Sequence, residues 1–132
     1  MSERSHYNLL IAEDNPVVRE VLRGVIRHDD RLRIVGEAAN GQLALELVES
    51  LKPDLVCLDV LMPGLDGLTA LKTIKEKYPD TRVILVTGQS TSEVVSEALK
   101  HGASGFVVKP FNANQLLRAV YNALSLSPPK SQ

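Results

Sequence analysis

The chain has 132 residues, 44% hydrophobic and 23% charged, which is enough for one ordinary domain core and too few for a second full one. That balance excludes a wholly disordered chain. With 15 Lys and Arg against 16 Asp and Glu the net charge is −1, so no global field draws the protein to nucleic acid or an anionic membrane, and neither is expected as a direct partner.

Residues 1–7 read as a tail. Met1-Ser2-Glu3-Arg4-Ser5-His6 lacks the apolar stretch of a secretory signal, and no run approaches the ~20 apolar residues of a membrane span. A soluble, cytoplasmic protein is expected. The first short apolar run is Leu9 to Ala12. Asn15-Pro16 then opens a helix, a cap residue before the proline that suits the first helical position, with Val18, Leu22, Val25 and Ile26 at helical spacing. Leu32 to Ala38 is the second run, followed by a helix opened by Asn40-Gly41, carrying Leu43, Ala44, Leu47 and Val48 and ended by Lys52-Pro53. The third run, Leu55 to Leu58, contains the sole cysteine, Cys57, so no intrachain disulfide can form. A buried small hydrophobe is its simplest role. The third helix holds Leu68, Leu71 and Ile74 before Tyr78-Pro79. After the fourth run, Val83 to Val86, Thr91 or Ser92 can cap a helix bearing Val94, Val95, Ala98 and Leu99, which Gly102 closes as a left-handed cap. The fifth run is Gly105 to Val108, and the fifth helix runs from about Asn112 through Leu116, Val120 and Leu124. Residues 127–132, with Pro128-Pro129, form a second tail, either a frayed end or the start of a linker.

Near-continuous apolar runs, rather than strict alternation, mark strands covered on both faces. Five strand–helix repeats imply an α/β fold, a doubly wound parallel sheet with right-handed crossovers. The segments share no repeated side-chain signature, which argues against a solenoid. Ligands of such sheets bind outside the carboxyl ends of the strands. Just past those ends lie Glu13-Asp14, Asp59, Thr87 and Lys109.

Taken singly, each of these residues has an ordinary reading as a turn, a cap or a solvated charge. Their common register points to a site. Three carboxylates and one ammonium carry a net −2, which a divalent cation would balance. Oxygen-only ligation favours Mg²⁺ over zinc or copper. A metal, a lysine and a hydroxyl around an aspartate suit phosphoryl transfer, with Asp59 as nucleophile and Glu13 and Asp14 as the adjacent metal pair.

The motifs Ala12-Glu13-Asp14-Asn15, Leu58 to Gly67, Val86-Thr87-Gly88 and Gly102 to Phe111 occur in that order, and residues 8–126 resemble the receiver domains of two-component response regulators. The resemblance implies a stand-alone, chemotaxis-regulator-like receiver with a flavodoxin-like (β/α)5 fold and strand order 2-1-3-4-5. It implies that Asp59 takes a phosphoryl group from a sensor histidine kinase or a histidine phosphotransfer protein. It assigns Mg²⁺ to Asp14, Asp59 and the Leu61 backbone carbonyl directly, and to Glu13 through water. Thr87 and Lys109 would each hold a phosphoryl oxygen, and the Lys109-Pro110 bond would be cis. Thr87 and Phe106 would form a switch reshaping the fourth helix, fifth strand and fifth helix for a downstream protein target or a homodimer. Such a chain is no enzyme beyond self-phosphotransfer and slow autodephosphorylation. Two departures are Glu13, where Asp is commoner, and Phe106, which lacks a hydroxyl.

On the fifth helix Leu117 and Tyr121 flank the core stripe and read equally as its margin or as a docking patch. His6, His28 and His101 show no ligand spacing and suit surface or capping roles. A dehalogenase-like phosphatase would need a second acid two residues past the nucleophile, where this chain has Leu61, or Pro16 after the first strand. Nucleotide-binding glycine motifs are absent. A flavodoxin-like carrier shares the fold, and a receiver-like module never phosphorylated in the cell, or the receiver part of a larger regulator, stays an alternative. A lone receiver would have no attached output domain, so its signal would leave through a protein contact.

Overall fold

The computed structural model describes residues 5–88 and 92–129. Five parallel strands, β1 (Tyr7–Ala12), β2 (Leu32–Ala38), β3 (Leu55–Asp59), β4 (Arg82–Thr87) and β5 (Gly105–Val108), form one sheet. Its order is β2-β1-β3-β4-β5. The helices α1 (Pro16–Ile26), α2 (Gly41–Leu51), α3 (Gly67–Lys77), α4 (Ser92–Lys100) and α5 (Ala113–Leu124) alternate with the strands. The flavodoxin-like arrangement expected from the sequence is the one observed.

The apolar strands divide their side chains between two cores. Leu9, Ile11, Leu55, Cys57, Ile84 and Val86 pack under α1 and α5, whereas Leu10, Ala12, Val56, Leu58, Val83 and Leu85 face the layer of α2, α3 and α4. Alternate residues point to opposite faces, and both faces are covered, which removes the polar half of the pattern. Burial pushes the Cys57 thiol up to about 12, so this cysteine is an inert core residue.

Caps follow the sequence closely. The Asn15 Oδ1 accepts the Val17 and Val18 amides, and Asn40 Oδ1 accepts that of Leu43. On α5, Asn112 and Gln115 exchange side chain to backbone bonds in a reciprocal capping box. Gly102 has φ +97, the left-handed value its closing position requires.

Two elements, β1 and α4, differ from the expectation. β1 begins at Tyr7, two residues early, because the Tyr7 amide finds the Arg31 carbonyl at 2.7 Å. Ser92 is the first residue of α4 rather than its cap; Thr91, the other candidate, lies outside the described residues, as do the tail residues 1–4 and 130–132. On α4 only Ala98 is buried, and Leu99 is 51% exposed beside Phe106. α4 packs mainly against α3, and Leu99 instead lines the groove shared with Phe106 of β5 and with α5.

Candidate functional site

Strand register assembles the rim. Ala12 pairs with Leu58, so the residues that follow, Glu13 and Asp59, come side by side where strand order reverses. Asp59 pairs with Val86 and Thr87 with Val108, and the Lys109 amide donates to the Thr87 carbonyl at 2.8 Å. Asp59 and Thr87 are thus the last residues of their strands rather than the first of their loops.

Carboxylate oxygens of Glu13, Asp14 and Asp59 lie within 4.8 Å of one another. Glu13, Asp59 and Thr87 are buried, and Asp14 is exposed. Lys109 reaches across them: its Nζ is 3.3 Å from Asp59 Oδ2 and 2.9 Å from Glu13 Oε1. The second contact is an ion pair only, since the buried Glu13 Oε1 has no hydrogen-bond partner of good geometry. Glu13 Oε2 accepts the Asn15 amide at 3.2 Å, and Asp59 Oδ1 accepts the Leu61 amide at 3.2 Å. Burial raises the Glu13 pKa against the opposing pull of Lys109. Burial also works to lower that of Lys109, but its contacts with Glu13 and Asp59 prevail and raise it.

The donor set is entirely oxygen, with one exposed carboxylate and one buried oxygen lacking a donor. That chemistry fits a hard divalent cation. Leu61 follows in the loop after β3, 58% exposed. Phe106 is 40% exposed and lines a groove of about 640 Å³ between α4, β5 and α5, with Leu99, Gln115 and Arg118. The Lys109-Pro110 bond is cis, as the resemblance implies.

Other candidates fall elsewhere. Tyr121 is buried and donates its hydroxyl to Asp29 at 2.9 Å, while Leu117 packs against the same core, so both belong to a wide core stripe. His101 pairs with Glu97 on α4, and His6 contacts Arg33. No helix among the described residues is long and apolar enough to cross a membrane.

Gly67 was legible only as a motif letter. Its amide donates to the Val60 carbonyl at 2.8 Å, and a Cβ there would collide with the Asp59 carbonyl. This close approach sets α3 directly behind Asp59, and nothing in local periodicity announces it.

A family profile described as "Response regulator receiver domain" matches residues 9–121. The nitrate/nitrite response regulator protein NarL of Escherichia coli (strain K12) is 37% identical over 93% of this chain and 57% of its own length. The chain therefore spans little more than half of that relative. Chemotaxis protein CheY of Listeria monocytogenes is 38% identical over 87% of this chain and 96% of its own. Among solved structures, the CheX-CheY-BeF3-Mg²⁺ complex from Borrelia burgdorferi contains a chain that superposes with a TM-score of 0.86 at 29% identity, covering 89% of each chain. The expected resemblance stands, and the chain belongs to the response regulator receiver domain family.

Proposed function

We propose that this protein is a phosphoacceptor response regulator, in which Asp59 takes a phosphoryl group from a sensor histidine kinase or a histidine phosphotransfer protein in the cytoplasm. The observation that carries this reading is the cluster of Glu13, Asp14 and Asp59 spanned by Lys109. An Asp59 carboxylate oxygen would form the new bond to phosphorus as the bond to the donor's histidine nitrogen breaks, leaving the imidazole to pick up a proton. Mg²⁺ would be held by Asp14, Asp59 and the Leu61 carbonyl, and by Glu13 through water, where it would neutralise charge on the phosphoryl oxygens. The similar CheX-CheY-BeF3-Mg²⁺ complex contains that ion, which supports the choice.

Lys109 already sits against Asp59 and would pair with a phosphoryl oxygen. The Thr87 hydroxyl would take another, and its inward movement would open space for the exposed Phe106 ring to turn toward the core. The groove of α4, β5 and α5 would then present a changed face to a downstream protein or a second copy of the chain. Activity beyond self-phosphotransfer and slow autodephosphorylation is not part of this reading. A second reading, the receiver part of a larger regulator, is favoured by the coverage of NarL, and leaves the chemistry at Asp59 the same.

Incubation with a small-molecule phosphodonor and Mg²⁺, followed by intact mass, should add one phosphoryl group to the wild type and none to Asp59→Asn. A folded, Mg²⁺-supplied wild type that gains none would instead identify an unphosphorylated interaction module.

A further inference from the structure

The β1 ladder ends at Ala12, which pairs with Ala38 and Leu58. Beyond it the Glu13 amide still donates to the Ala38 carbonyl at 2.9 Å, but the Glu13 carbonyl has left the sheet. Its partner is Arg19, one turn past the Asn15 cap, whose Nη1 donates to that carbonyl at 2.7 Å. The same guanidinium is held from behind: Arg19 Nε lies 3.4 Å from Glu37 Oε1 on β2, and Arg23 Nη1 donates to that oxygen at 2.7 Å. A planar fork can serve a carbonyl and a carboxylate together, which a lysine ammonium does less well.

The Glu13 carbonyl and the Asp14 amide belong to one rigid peptide plane. Fixing that carbonyl therefore fixes the hinge from which both acids project, and the Asn15 amide on the other side fixes the Glu13 carboxylate. We propose that Arg19 is a positioning residue for the cation-binding acids, oriented by Glu37 and Arg23, and that it organises Glu13 and Asp14 before the metal arrives. This rests on the Mg²⁺ reading above, and it concerns a residue that touches neither the metal nor Asp59.

Charge alone argues the opposite way. Removing a cation near three carboxylates would by itself tighten Mg²⁺ binding, whereas loss of positioning weakens it. Calorimetric titration of Mg²⁺ into the full chain should show Arg19→Met binding about 10-fold more weakly, the usual scale for removing a group that orients a ligand. Glu37→Gln keeps the Arg19 charge and removes its anchor, and should weaken binding in the same direction by a smaller factor. It also carries the test if Arg19→Met does not fold. In the metal-free protein, the Asn15 amide resonance should shift in both variants. Mg²⁺ affinity unchanged or tightened in a folded variant overturns the proposal. A wild type that takes up no Mg²⁺ defeats the metal reading instead, and the clamp is then decided by the Asn15 amide, which overturns it by staying in place.

Discussion

Asp29 lies far from the rim, and its partners explain why a buried carboxylate stays ionised. It accepts the Arg31 guanidinium at 3.0 and 2.7 Å, the Arg31 amide at 2.9 Å and the Tyr121 hydroxyl at 2.9 Å. The Arg31 side chain holds its pKa down from 3.8 to about 2 against the cost of burial. A depressed carboxylate contributes stability above its unfolded pKa and loses it as pH falls through the folded one. The network should therefore contribute on the order of 1 to 2 kcal/mol at neutral pH, fading between about pH 4 and 2. Denaturant unfolding of wild type and Asp29→Asn should show a gap at pH 7 that closes by pH 2; a gap independent of pH would refute the assignment. Lys109 makes a different prediction. Lys109→Ala should still unfold cooperatively and accept a phosphoryl group, yet leave the Phe106 ring resonances where they are in the unphosphorylated protein. Normal movement of that ring would remove Lys109 from the switch. The rim residues were legible in the sequence because each ends an apolar run. Asp29 and Tyr121 meet across 92 positions, a pairing that no local pattern encodes.

Elements were legible where both their ends carry chemical signals. Asn15-Pro16, Asn40 and Gly102 mark helix ends through hydrogen bonds and backbone freedom that act locally. The predicted stripe of α4 failed at Leu99 because this helix packs mainly on α3, leaving Leu99 on the groove beside β5 and α5, a placement set by other elements. Two glycines separate local from tertiary constraint. Gly24, in the last turn of α1, has open space where a methyl group would sit, so Gly24→Ala should stabilise by about 0.5 to 1 kcal/mol. At Gly67 the same methyl would meet the Asp59 carbonyl and stand 2.6 Å from the Val60 Cα. Gly67→Ala should cost about 1 to 3 kcal/mol. Chemical denaturation midpoints of the two variants should move in opposite directions, and a neutral Gly67→Ala would show that α3 does not need this close approach.

At the scale of the molecule, strand order converts spacing in the sequence into a site. β1 and β3 are neighbours although α1, β2 and α2 separate them in the chain, which places Glu13 and Asp14 against Asp59. β4 and β5 bring Thr87 and Lys109 to the same end. The net charge of −1 conceals this local excess of acid. The five-fold strand–helix alternation made the fold readable, since only a sheet covered on both faces accommodates five such apolar runs. The Arg19 link to Glu13 was not readable, because it joins a helix side chain to a backbone carbonyl. Borohydride reduction after loading with a phosphodonor and Mg²⁺ gives the most direct test of the phosphoacceptor, since it converts an aspartyl phosphate to homoserine. Tandem mass mapping should then find homoserine at position 59 and nowhere else; homoserine at another acid, or none in a protein that has gained a phosphoryl group, would contradict Asp59 as the acceptor.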